Sequence, residues 1–139
     1  MPIKHPPYSG QIIICDYTGF IVPEMVKKRP VVVVSPKPRS ANRLCVVIPL
    51  STTAPHNLES HHIEIVLPDE LVSIAGFSKK CWAKCNMINT VSYQRLELVR
   101  FSRNASGKRN YSYHRVGEDV LFNLRKAAAG TFGIKFDKK

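Results

Sequence analysis

Arg29, Ser51 and Thr52 are the side chains with the clearest chemical use. Arg29 stands just before four consecutive valines, Val31 to Val34. Ser51 and Thr52 stand just after a second apolar run, Leu44 to Leu50. If the two runs pair antiparallel, the start of one lies beside the end of the other. A guanidinium and two hydroxyls then meet at one rim of a sheet. A planar, permanent cation that forks onto oxygens, with hydroxyl donors beside it, suits a phosphate. The same residues also read as a solvated strand-edge charge and the opening of a turn.

Three histidines, His56, His61 and His62, follow in a polar stretch placed to overhang that rim. Histidine titrates near neutrality and serves as base or acid. His62, at a strand start that would aim it, is the first acid–base candidate, and His56 is the second. The plainer alternative is exposed loop residues, or one histidine satisfied in the core. Cys81 and Cys85 form Cys-x3-Cys, whereas zinc hairpins normally use Cys-x2-Cys. Cys15 follows three isoleucines and Cys45 lies among aliphatics. Buried free thiols are the expectation, with no metal site. No Ser–His–Asp order suggests a hydrolase triad.

The elements that must position these residues are mainly strands. Val31 to Val34 and Leu44 to Leu50 have apolar residues on both sides of the pleat, so both read as doubly buried strands. The Pro-, Ser- and Asn-rich stretch between them turns the chain back. Gly10 to Tyr17 reads as a first strand, and residues 16–28 as a long loop over the rim. His61 to Leu67 alternates like a half-exposed strand. A turn or short helix follows at Pro68 to Leu71. Cys81 to Ile88 and Leu96 to Phe101 are further strand candidates, and between them Asn89 to Ser92 leads into a short turn or helix. Residues 102–115 read as a basic hairpin arm. Glu118 and Asp119 open a helix of about residues 118–129, with Arg125 and Lys126 in its last turn and Gly130 as its stop. The tail after it is expected to fray, with Phe132, Ile134 and Phe136 as residues that could dock. The expectation is one domain over residues 1–139, with a core of about 8–129.

Charge narrows the partners. The 139 residues carry a net charge of +11. Residues 1–78 contribute +1 and residues 79–139 contribute +10. A field concentrated in one half favours a polyanion, because neutralising phosphates releases counterions. Trp82, Tyr93, Phe101, Tyr111 and Tyr113 lie among these cations. Aromatic faces stack on unpaired bases while cations follow the backbone. No run of about 18 apolar residues occurs, so no membrane span is expected. The first residues lack the apolar block of a signal peptide, which makes the cytoplasm the expected location.

Lys28-Arg29-Pro30-Val31-Val32-Val33-Val34-Ser35, followed by Val47-Ile48-Pro49-Leu50-Ser51-Thr52, resembles the MazF/PemK toxins of bacterial toxin–antitoxin systems. Gly10 to Tyr17 resembles the family's opening strand. Lys84 to Val91 and Arg95-Leu96 resemble its later strand and the Arg-Leu that follows. The resemblance implies a mainly β fold with a C-terminal helix, specifically an SH3-like β-barrel, usually dimeric. It implies metal-independent, sequence-selective cleavage of single-stranded RNA, with no cofactor, and inhibition by an antitoxin protein. It gives Arg29 and Ser51 catalytic positions, with Thr52 adjoining. Lys28, Lys84, Asn86 and Arg95 are the expected RNA-binding residues. One departure stands out. Some members carry Arg-Cys-Asp where this chain has Lys84-Cys85-Asn86. Lys84 keeps the charge without the fork, and Asn86 is no carboxylate base. Two other classes remain open: a nucleic-acid-binding module without cleavage, and a protein-binding scaffold on the same barrel.

Overall fold

Nine strands and two helices make up a computed structural model that describes residues 1–37, 42–74, 77–101, 107 and 110–135. The strands are β1 (Ile12–Asp16), β2 (Lys28–Val33), β3 (Leu44–Ser51), β4 (His62–Val66), β5 (Lys80–Lys84), β6 (Asn89–Ser92), β7 (Leu96–Leu98), β8 (Arg100–Phe101) and β9 (Asn110–Tyr111). Helix α1 covers Asp69–Val72, and α2 covers Glu118–Gly130.

Seven strands form one antiparallel sheet in the order β4-β5-β3-β2-β1-β7, with β6 also paired to β3. Along one edge, the long β3 pairs with β6 through Leu44 to Val47 and with β5 through Leu50 and Ser51. Along its other edge it pairs with β2. The path runs from β4 to β7 without closing on itself among the described residues. The expected barrel is thus seen as an open sheet.

The valine run does what its composition requires. Val31 and Val33 enter one buried cluster with Ile13, Cys15, Tyr17 and Val47. Val32 and Val34 enter the other, with Ile12, Ile48, Leu71 and Leu124. Alternate side chains of one strand therefore fill two cores. The second core is completed by α2, whose Leu121, Leu124 and Ala128 are buried. Arg125 ties this helix to the sheet: its Nε donates to the Val34 carbonyl at 2.8 Å.

Three local expectations are corrected. The strand expected over Cys81 to Ile88 stops at Lys84, where a single 3-10 turn, Cys85–Met87, redirects the chain into β6. Asn89 to Ser92 is accordingly a strand of its own, and it leads into the short helical turn expected before Leu96, the 3-10 turn Tyr93–Arg95. Gly130 is the last residue of α2 and not its stop; the left-handed glycine is Gly133, at φ 79°. Phe132 and Ile134 are exposed and do not dock; Phe136 lies outside the described residues. So does half of the basic arm, of which Gly107 and residues 110–115 are described, with Asn110 and Tyr111 paired back to Phe101 and Arg100.

All four cysteines are free and buried, Cys15 and Cys45 in one core and Cys81 and Cys85 in the other. Burial raises their thiols from the ordinary 9.0, Cys15 and Cys81 to about 11 and Cys85 to about 12. Thiolate is the reactive form. At pH 8 an alkylating reagent is therefore expected to modify none of them in the native protein and all four in denaturant, read by intact mass.

Candidate nucleic-acid interface

The strand register assembles the site. Cys15 of β1 faces Arg29 of β2. Val31 faces Pro49, so continuing that register by two residues sets Arg29 opposite Ser51. Ser51 faces Trp82 on β5, and Trp82 faces Glu64 on β4. Directly opposed residues share a sheet face. One row therefore runs Cys15, Arg29, Ser51, Trp82, Glu64. Lys84, two residues along from Trp82, shares that face, and His62 sits opposite it. The antiparallel pairing expected from sequence thus brings Arg29 and Ser51 together. His62 lies three strand spacings away, about 14 Å along the sheet.

Arg29 is half-buried, and its Nε is buried without a hydrogen-bond partner. The fully buried Tyr17 hydroxyl shares this surrounding and likewise meets no hydrogen-bond geometry. Burial raises the Tyr17 pKa, with the Cys15 thiol adding to the shift and the Arg29 cation opposing it. Tyr17 therefore stays neutral beside the arginine.

Ser51 is 5% exposed, and its hydroxyl is engaged in its own turn. Ser51 Oγ accepts from Thr53 N–H at 3.2 Å and reaches the Thr53 carbonyl at 3.3 Å. Thr52 is exposed beside it. Ser51 shapes the turn, and Thr52 is the hydroxyl open to a ligand.

His62 Nδ1 accepts the Glu59 N–H at 3.1 Å. Its neutral ring therefore carries the proton on Nε2 and offers a donor there, not a base. Burial, His61 and Lys84 lower its pKa, while Glu59 opposes them. The His61 ring lies 4.2 Å from that of His62, and His61 Nδ1 is 3.4 Å from a Glu59 carboxylate oxygen. His56 is exposed in the loop between β3 and β4.

The remaining candidates separate. Lys28 neighbours Arg29 in β2 and so points to the opposite face, where it pairs with Glu97 at 3.2 Å. Asn86 is exposed in the turn after β5. Arg95 supports the 16–28 loop: its Nη1 donates to the Asp16 and Thr18 carbonyls at 2.9 and 2.8 Å, and its guanidinium covers Phe20 at 4.9 Å. Trp82 was expected only as one of five aromatics able to stack on bases, and Tyr17 was not expected in the site at all. Counting back from Arg29 through the β1 pairing would have found Tyr17, and the pairing of β5 with Ser51 would have found Trp82.

Fold and site together define a class: a small, basic, mainly β protein in which Arg29, Ser51, Lys84 and the single indole share a sheet face. The chain belongs to the PemK-like, MazF-like toxins of type II toxin–antitoxin systems, whose family profile matches residues 8–109. An uncharacterized protein of Haemophilus influenzae is 41% identical over 112 residues, covering 69% of this chain and 73% of its own length. The uncharacterized Escherichia coli protein YifN is 29% identical over 121 residues, covering 74% and 80%. The fold is shared with MazF from Deinococcus radiodurans, at a TM-score of 0.61 and 16% identity, over 94% of this chain and 100% of that one. It is shared equally with a mycobacterial endoribonuclease solved with its cognate antitoxin, at 0.60 and 18%, over 94% and 99%. No helix among the described residues is long and apolar enough to cross a membrane.

Proposed function

We propose that the protein is an endoribonuclease toxin that cuts single-stranded RNA across the Arg29–Ser51 end of the sheet. The observation that carries this is the row in which Arg29, Ser51 and Trp82 share one face, in a chain of this toxin family. The strand would run across the row. Arg29 and Thr52 would hold the scissile phosphate, Trp82 would stack on a base, and Lys84 and Nε2–H of His62 would hold the flanking backbone.

In the reaction, the ribose 2′-oxygen attacks the adjacent phosphorus. The O2′–P bond forms, the P–O5′ bond breaks, and the products end in a cyclic phosphate and a 5′-hydroxyl. The 2′ proton must leave and the 5′ oxygen must gain one. Arg29 offsets charge on the phosphoryl oxygens as it builds. It holds its proton at any ordinary pH and is a charge stabiliser rather than a base. Charge stabilisation by a fixed guanidinium needs no metal, so cleavage in EDTA is part of the reading.

The finer readings belong with this. The sheet is read as an opened SH3-like barrel within one domain over 1–139. The active form is read as a cytoplasmic homodimer that a cognate antitoxin protein inhibits, with cutting selective for sequence. A long single-stranded RNA incubated with the protein in excess EDTA, with product ends mapped, tests the core of it. Discrete cuts with 5′-hydroxyl ends are the expected result; no cuts, with salt-sensitive binding retained, would replace it by the binding-module reading. The exposed Asn86, where a carboxylate would be useful, favours that second reading.

The pH dependence of binding tests His62 separately. Its pKa lies below the ordinary 6.5, so it is neutral at pH 7 and gains a charge only below that range. Affinity for a non-cleavable 2′-O-methyl RNA, at fixed ionic strength, is expected to change little from pH 8 to 7 and to tighten below 6.5. His62→Gln should remove most of that tightening. An identical profile in the variant would place His62 outside the interface.

A further inference from the structure

A second basic site lies at the far end of β1. Its wall is a cavity of about 560 Å³ that includes Lys4, Tyr8, Lys37, Tyr113 and Arg115. Ile3 and Leu98 give it an apolar floor, and no carboxylate lines it among the described residues. More than half of its lining comes from residues 3–7, 113 and 115, which flank the family-matched span of 8–109.

The wall is braced. Arg115 Nε donates to the Ser9 carbonyl at 3.1 Å, and its guanidinium lies 5.0 Å from the Tyr8 ring centroid. Tyr8 N–H donates to the buried Gln11 side chain at 2.9 Å. Gly10, at φ 84°, makes the turn that lets this segment meet Val116, whose oxygen would sit 3.2 Å from an added Cβ. Two tyrosine rings remain more than half exposed, at 56% for Tyr8 and 58% for Tyr113. Lys37 is exposed beside them.

We infer that this cavity is a subsite for single-stranded RNA, taking one unpaired base against Tyr113 or Tyr8 and the neighbouring phosphates against Lys37 and Lys4. Rings with cations around them and no carboxylate suit a base and its phosphates, since stacking on a π-face is tolerant of sequence. The placement fits a strand held at the cleavage end. Gln11, Ile13 and Cys15 share one side of β1, and Cys15 faces Arg29 while Gln11 lines the cavity. Those ends are four residues apart, about 13 Å in a straight line; Ile13 and Cys15 between them are buried, so a strand would pass over the side chains that cover them. Single-strand grooves hold roughly 4–16 nucleotides, enough to reach both. The choice of RNA rests on the ribonuclease reading; the geometry of the cavity does not.

The test uses the full chain and a twelve-nucleotide 2′-O-methyl RNA, which lacks the attacking hydroxyl and reports binding alone. Tyr113→Ala combined with Lys37→Ala is expected to weaken binding about tenfold or more, the size of one lost base stack. The slope of log affinity against log salt should fall by about 0.7, as for one single-strand phosphate contact. Tyr113→Phe should keep most of the affinity. Unchanged affinity and slope in the double variant would overturn the inference. So would a poly-glutamate peptide of equal length that binds as tightly and depends on Tyr113 as strongly, because that marks a peptide site. Loss of binding in the double variant of a protein that cuts no RNA would sustain the subsite and sink the cleavage reading. Arg29-dependent cutting with intact binding in the double variant would do the reverse.

Discussion

Replacing Arg29 with alanine is expected to lower RNA cleavage by about 10²- to 10³-fold while leaving most RNA affinity in place, the scale for removing one preorganised charge stabiliser. The asymmetry follows from where the charges are. Arg29 is one cation of 21 Lys and Arg in the chain, so its loss removes about one phosphate contact from binding. Its place in the row, opposite Ser51, makes it hard to replace in the reaction. The fold should tolerate the change. Arg29 is half-buried with an unpartnered Nε, so alanine removes a desolvated polar atom along with the charge. Arg29→Lys should recover only part of the rate, because an ammonium cannot fork onto two oxygens. Single-turnover cleavage and fluorescence anisotropy, run on the same preparations, separate the two quantities. Equal losses in rate and affinity would instead make Arg29 a binding residue. Ser51→Ala and Thr52→Ala extend the comparison. Ser51 is turned into its own turn and Thr52 is exposed, so Thr52→Ala should cost more rate per unit of stability lost.

How much of this was legible beforehand differs by level. The valine run announced a doubly buried strand because β-branched residues without a polar face have one comfortable place, and the two cores divide those valines by parity. The meeting of Arg29 with Ser51 was legible for the same reason, since an antiparallel hairpin fixes which ends adjoin. The break at Cys85 was not. Cys85 is itself buried and apolar like a strand residue, and only the switch of β3 from one partner strand to the next makes the chain bend there. The roles of Lys28 and Arg95 were hidden by composition. Both are cations near the rim, yet parity turns Lys28 away and an unpartnered loop backbone claims Arg95. His62 shows a further limit. Its strand position was visible, but not the Glu59 N–H that occupies Nδ1 and decides which nitrogen holds the proton.

Leu124→Ala is expected to destabilise the protein by about 2–5 kcal/mol, the range for deleting a buried leucine side chain. Leu124 is fully buried, at 0% exposure, on the inward face of α2. That face packs against β4 and the turn Cys85–Met87. The cavity would open in the core that Leu124 shares with Ile12, Val32 and Ile48, nearest to β4 and the 85–87 turn that carry His62 and Asn86, and on the opposite face of β2 from the row of Arg29 and Ser51. The two ends of the interface should therefore respond unequally. Urea unfolding should show a lower midpoint with an unchanged slope, as for a change in stability without a change in the surface exposed. At low temperature, where the variant stays folded, amide exchange should quicken in β4 and the 85–87 turn before it quickens in β2. Local opening follows the weakest packing, and β2 keeps the core on its other face, around Val31 and Val33, intact. If exchange rises uniformly instead, α2 is part of one cooperative unit with the whole sheet. The interface would then be held by the fold as a whole rather than by the helix beneath its far end.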